Sequence, residues 1–213
     1  MNQYRALLCD LDGTLADSEP LHCAAWLELL NGDYGLGVDE NWFEQFIGTS
    51  DRVVARHVTE NHGLDVAASE LTRRKQAAFH AAVRQRARSF PGVPELLGEL
   101  AARYPVAIAT NSGRADADLM IEALGFDRIV SVSVTASDVA HMKPAPDIYA
   151  LAAARLGVPA ERCIAIEDSG PGGQSARAAG CYLLGLTDAV TDAHERIDGN
   201  AAALRRAGQL LGE

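Results

Sequence analysis

No stretch of this 213-residue chain approaches the run of about 20 apolar residues that a membrane-crossing helix needs. Cationic side chains are scarce: 19 Lys and Arg stand against 29 Asp and Glu, leaving a formal charge of −10. A field that attracts a phosphate backbone or an anionic bilayer requires clustered positive charge, so neither nucleic acid nor membrane is an expected partner. An anionic substrate would need a local cationic pocket. The only cysteines, Cys9, Cys23, Cys163 and Cys181, form no C-x-x-C pair and lie mostly in apolar runs, which favours buried reduced thiols over disulfides or a zinc site. There is no internal repeat and no low-complexity segment. Met1–Arg5 leads directly into an apolar strand rather than a signal peptide, and the expected location is the cytoplasm. A monomer or weak homodimer is expected.

What the chain does contain is 48% hydrophobic residues, enough to bury one domain's core, with or without an insertion. Five apolar runs read as buried parallel strands: Ala6–Asp10, Val106–Thr110, Ile129–Val134, Cys163–Glu167 and Tyr182–Leu186. Helical patterns over Val93–Arg103, Arg114–Leu124, Pro146–Leu156 and Pro171–Ala179 separate the last four. This alternation predicts an α/β fold, a Rossmann-like doubly wound parallel sheet. The segment from Asp17 to Ser89 has helical spacing throughout and is too long for a simple crossover. It reads as an inserted α-helical cap, giving a core of residues 1–16 and 88–213 and a cap of residues 17–87, with a turn-rich hinge at Ser89–Pro94. The Ala-rich tail after Thr187 reads as a closing helix without a motif.

In an open α/β sheet, ligands bind beyond the carboxyl ends of the strands. The first strand ends at Asp10 and Asp12, which share one side of an extended segment, before Gly13 turns the chain. One carboxylate could attack phosphorus while the other moves a proton, with a divalent cation offsetting the charge. An ordinary Asp-Gly surface turn is the competing reading. Thr110, Asn111 and Ser112 follow the second strand and could hold phosphate oxygens, though Ser112 could equally cap a helix. Lys143 sits on a proline-bounded turn, where it could pair with phosphate and Asp10 or lie solvated. Glu167 and Asp168 close the fourth strand, and adjacent acids there suit Mg²⁺ together with Asp10 and a backbone carbonyl near Asp12; a capped helix start is the alternative.

Asp10-Leu11-Asp12-Gly13-Thr14, Thr110, Lys143 and Glu167-Asp168, in this order, resemble the four motifs of the haloacid dehalogenase superfamily. The resemblance implies Mg²⁺ dependence through Asp10, Asp12, Glu167 and Asp168, and an aspartyl-phosphate intermediate with Asp10 as nucleophile and Asp12 as general acid/base. It also implies that Thr110 and Lys143 bind the phosphoryl group. The second aspartate, absent from true dehalogenases, points to phosphate transfer. Asp17–His22, Trp26, Gly48-Thr49-Ser50, Arg73–Lys75 and Lys143–Ile148 resemble the β-phosphoglucomutase-like branch, which acts largely on phosphorylated sugars. By that resemblance His22 and Lys75 report cap closure to Asp12, while Trp26 and the loop from Gly48 to Arg52 touch the sugar. His22 and Trp26, four residues apart on one helix face, could instead pack on a core, and Lys75 could belong to a solvated face. In the mutase an arginine directly follows the serine; here Asp51 intervenes before Arg52, and its charge would oppose an anion there. The expected activity is a phosphatase for a small phosphorylated metabolite, a sugar or polyol monophosphate. A phosphosugar mutase is the first alternative and a non-catalytic binding module the second.

Overall fold

The computed structural model describes residues 3–46, 49 and 51–212. It divides into two units, Met1–Asp17 with Arg88–Glu213, and Ser18–Ala87. The expected boundary moves by one residue, because the Asp17 N–H donates to the Arg88 carbonyl at 3.0 Å. Beside that bond, Ser89 Oγ donates to the Leu15 carbonyl at 2.7 Å and Ala16 bridges Ser89 in antiparallel fashion, so the two connecting segments are tied together.

The larger unit is built on β1 (Ala6–Cys9), β2 (Val106–Ala109), β3 (Val132–Val134), β4 (Cys163–Glu167), β5 (Tyr182–Gly185) and β6 (Glu195–Arg196), in the order β3-β2-β1-β4-β5-β6 with every pair parallel. β1, β2 and β4 are buried along their whole length, which is why they read as unbroken apolar runs. On one face Ala6, Leu8, Ala107, Ala109, Val134 and Ala165 pack with Ile148, Tyr149, Ala152 and Ala153. Leu7, Cys9, Ile108, Ile164 and Ile166 alternate to the other face and are equally enclosed. The run expected to start a strand at Ile129 does so only at Val132, because a 3₁₀ turn over Phe126–Arg128 precedes it. β6, two residues long, carries no periodic signal and was not anticipated.

Four helices form the smaller unit: α1 (Glu19–Gly32), α2 (Glu40–Glu44), α3 (Asp51–Asn61) and α4 (Ala68–Arg86). They enclose Trp26, Leu29, Leu30, Phe43, Phe46, Val54, Ala55, Val58 and Leu71. The larger unit's helices are α5 (Val93–Ala101), α6 (Arg114–Ala123), α7 (Asp147–Leu156), α8 (Gly170–Ala179) and α9 (Asn200–Gly212). The four cysteines are free, and burial pushes the Cys163 and Cys181 thiols up to about 12, which leaves them protonated and inert. No helix among the described residues is long and apolar enough to cross a membrane.

Candidate active site

Register places the polar groups on one level. Cys9 pairs with Ile108 of β2 and Ile166 of β4, so Asp10 emerges beside the ends of both neighbouring strands. The chain runs outward from β1 to β3 and then returns to β4 on the other side of β1, so the strand order reverses at Asp10. Hydrogen bonds from Asp10 N to the Ile166 carbonyl (3.1 Å) and from Thr110 N to the Val134 carbonyl (2.9 Å) extend the sheet one step past the strands and hold these residues at its rim.

Lys143 joins the strand ends. Its ammonium donates to Asp10 Oδ1 at 2.6 Å, to Glu167 Oε1 at 2.5 Å and to the Ala109 carbonyl at 2.8 Å, over the Tyr149 ring at 5.0 Å. With its side chain only 3% exposed, it is not the solvated lysine that the sequence allowed. Although burial opposes its charge, Asp10 and Glu167 outweigh that cost and hold the ammonium well above its ordinary value. The Lys143–Pro144 peptide bond is cis. Asn111 fixes the Lys143 backbone from both ends of its amide, Oδ1 accepting from Lys143 N at 2.9 Å and Nδ2 donating to the Lys143 carbonyl at 3.3 Å. The Asn111 amide thus seats the lysine.

Glu167 is fully enclosed. Oε1 accepts from Lys143 and from the Tyr149 hydroxyl (2.9 Å), and Oε2 accepts from Ser169 N (3.2 Å) and Ser169 Oγ (3.0 Å). Burial first, then Glu167, pushes the Tyr149 phenol up, so it remains a donor. Tyr149 was missed in the sequence because it falls on the apolar stripe of α7 and looks like core. Gly172 makes this arrangement possible: a Cβ there would lie 1.9 Å from Glu167 Oε1. Gly13, at φ +80°, does the same for Asp168, whose Oδ2 would sit 2.1 Å from a Cβ.

Asp12 bonds to the residues that follow β2. Its Oδ2 accepts from Ser112 Oγ at 2.6 Å and Thr110 Oγ1 at 3.4 Å, while Thr110 Oγ1 accepts from Ser112 N at 3.0 Å. Ser112 is thus no helix cap; α6 begins at a capless Gly113. The clustered carboxylates among the described residues are Asp10, Glu167 and Asp168, with one oxygen from each within 4.8 Å of the others. Burial, then Lys143 in opposition and Glu167, Asp168 and Asp12 in support, leave the Asp10 carboxyl well above its ordinary value. Burial and Glu167 push Asp168 up to about 7. One ammonium does not balance this crowding. A hard divalent cation would, and an all-oxygen donor set fits Mg²⁺.

In the helical unit, the Lys75 ammonium is completely buried, within 2.8 Å of Asp51 and 2.6 Å of His22 Nδ1. Trp26 Nε1 donates to the other Asp51 oxygen at 3.1 Å, and the His22 ring stacks on Phe79 at 4.1 Å. Trp26 has no exposed surface, so the expected sugar contact is corrected to a core residue that orients Asp51. Lys75 is likewise no part of a solvated face. Asp51, read from the sequence only as a repulsive charge, is the acceptor that makes burial of Lys75 tolerable. Thr49 Oγ1 donates to the Phe46 carbonyl at 2.7 Å, and Arg52 is exposed with no ion pair among the described residues. Gly48 and Ser50 lie outside the described residues.

The family model of haloacid dehalogenase-like hydrolases matches residues 4–180. The fructose-1-phosphate phosphatase YqaB of Escherichia coli is 35% identical over 178 residues, covering 84% of this chain and 94% of the relative. The validoxylamine A 7'-phosphate phosphatase of Streptomyces hygroscopicus subsp. limoneus is 32% identical over 189 residues, 86% of each chain. Among solved structures, CbbY from Rhodobacter sphaeroides in complex with phosphate aligns with a TM-score of 0.78 at 28% identity, covering 94% of this chain and 96% of its own. With the four strand-end motifs and this match over most of its length, the chain belongs to the haloacid dehalogenase-like hydrolases.

Proposed function

We propose that this protein is a Mg²⁺-dependent phosphatase that hydrolyses a small phosphorylated metabolite, a sugar or polyol monophosphate, through a phosphorylated Asp10. The observation that carries the reading is the meeting of Asp10, Lys143 and Glu167 within hydrogen-bond distance, from three separate segments of the chain. Relatives named as a fructose-1-phosphate phosphatase and a validoxylamine A 7'-phosphate phosphatase support a small phosphorylated metabolite as the substrate.

Asp10 Oδ1 is held by Lys143, and Oδ2 accepts no hydrogen bond among the described residues, so Oδ2 is the oxygen that attacks phosphorus. The phosphorus–oxygen bond to the metabolite breaks as Asp12 delivers a proton to the departing oxygen. Asp12 then takes a proton from water, whose oxygen attacks phosphorus and frees the Asp10 carboxylate. Lys143, Thr110 and Ser112 orient these groups and balance the equatorial oxygens. Asp10 and Asp168, with the Asp12 carbonyl and Glu167 beside them, would hold Mg²⁺, which when bound offsets charge on the phosphoryl oxygens. The helical unit, which carries His22, Lys75 and Asp51, is the proposed cap that selects the leaving group.

The test is a phosphate-release screen over sugar, polyol and nucleotide monophosphates with and without Mg²⁺. Metal-dependent release from a sugar or polyol ester, abolished by Asp10→Asn, is expected. Isomerised sugar phosphate without free phosphate would make the protein a mutase, and inertness across the panel would leave a binding module.

A further inference from the structure

The polar contacts that steady the acidic cluster do not all come from the four motifs. Beyond residue 180, outside the span of the family match, two side chains reach back to its backbone. Asn200 Nδ2 donates to both the Gly13 carbonyl (2.9 Å) and the Thr14 carbonyl (2.8 Å), 187 and 186 residues away in sequence. Thr187 Oγ1 donates to the Asp168 carbonyl.

We infer that Asn200 is a positioning residue for the reaction, an inference that rests on the phosphatase reading above. It opens α9, a helix fixed to the core by buried Ala203, Leu204, Ala207 and Leu211, so its amide is a stationary post. The loop it grips is the one that turns the chain between Asp12 and the helical unit. Within that loop, Gly13 lies flat against the Asp168 carboxylate and Thr14 Oγ1 reaches Asp168 Oδ1 at 3.5 Å. One amide therefore fixes the backbone immediately after Asp12 and, through the same peptide groups, the distance between the Asp10–Asp12 segment and Asp168. Without it, two carbonyls lose their donor, and the turn keeps its own bonds, Gly13 N to Ala16 O (2.8 Å) and Leu15 N and Ala16 N to Leu11 O (2.9 and 2.8 Å), with Ser89 Oγ on the Leu15 carbonyl (2.7 Å) at its far end and the 3.5 Å Thr14–Asp168 contact. A loop free to shift by a fraction of an ångström misplaces the acid and the nucleophile together, which lowers turnover more than substrate binding.

The experiment compares Asn200→Leu, which keeps volume without donors, and Asn200→Gln, which keeps an amide, with Ala203→Gly, which loosens α9 from a position that makes none of these bonds. Three readouts are taken: kcat and KM, amide exchange over residues 11–16, and binding of Mg²⁺ alone by titration calorimetry. Asn200→Leu should lower kcat about tenfold with KM within about twofold, weaken Mg²⁺ binding and speed exchange over 11–16. Asn200→Gln should recover part of each, and Ala203→Gly should lower the melting temperature while leaving all three readouts close to wild type. Asn200→Leu with unchanged kcat, or Ala203→Gly with an equal loss, would overturn the inference. If the wild type hydrolyses no phosphate ester, the proposed function falls, and the exchange and Mg²⁺ measurements alone decide whether Asn200 holds the turn.

Discussion

Placing one methyl group at each of two helical glycines should have opposite effects, and the difference depends on Glu167. Gly98 lies inside α5 with nothing within 4 Å of a Cβ built on it, so Gly98→Ala should stabilise the protein by up to about 1 kcal/mol through helix propensity alone. Gly172 lies in the first turn of α8, where the same atom would meet Glu167 Oε1 at 1.9 Å and Cδ at 2.0 Å. Glu167 has no slack, because it is fully buried and both its oxygens are bonded. Either the start of α8 shifts, an overpacking cost of about 1–3 kcal/mol, or the carboxylate moves and breaks the buried pair with Lys143, a cost of about 3–5 kcal/mol. Urea unfolding measures both variants. Gly172→Ala should also lose turnover, because displacing Glu167 releases Lys143 from Asp10. A Gly172→Ala protein within about 0.5 kcal/mol of wild type and fully active would refute the packing of Glu167 against α8.

Lys143→Met should cost about 3–5 kcal/mol at neutral pH by leaving Asp10 and Glu167 facing each other without a cation. Removing the ammonium takes away the charge that opposes burial at Asp10 and raises its folded-state value further, so the deficit should shrink as pH falls toward the ordinary carboxylate range; a deficit independent of pH would contradict this. Asp138 behaves in the opposite sense. Burial works against its charge, but hydrogen bonds from Thr135 N and Oγ1, Arg155 and Arg114 hold it well below the usual carboxylate range. Its contribution is complete above the unfolded value near about pH 4 and fades as pH falls through the lower folded value. Asp138→Asn should therefore be less stable than wild type at pH 7 and converge with it in strong acid, as read by thermal unfolding across pH.

The sheet was legible because parallel strands buried on both faces must be apolar along their length, and Ala6–Cys9 and Cys163–Glu167 are. The strand-end acids were legible for the complementary reason, that a carboxylate ending an apolar run has few structural uses. What stayed hidden is whatever packing decides. Nothing local distinguishes a lysine buried on Asp10 from a solvated one, or a tryptophan that binds sugar from Trp26 bonded to Asp51 inside a core. Asn111 stands at the right strand end, yet its amide serves Lys143, because partner choice depends on a loop 32 residues away. Asn200 and the two-residue β6 have no periodicity and no neighbouring motif, so only the folded chain reveals what they hold.

The central claim is that phosphate passes through Asp10. Acid quenching during turnover, followed by borohydride reduction and peptide mass spectrometry, should convert the Asp10 side chain to that of homoserine in the wild type alone, and only when substrate and Mg²⁺ are both present. Phosphate release at full rate with no modification of the Asp10 peptide at any quench time would contradict the account.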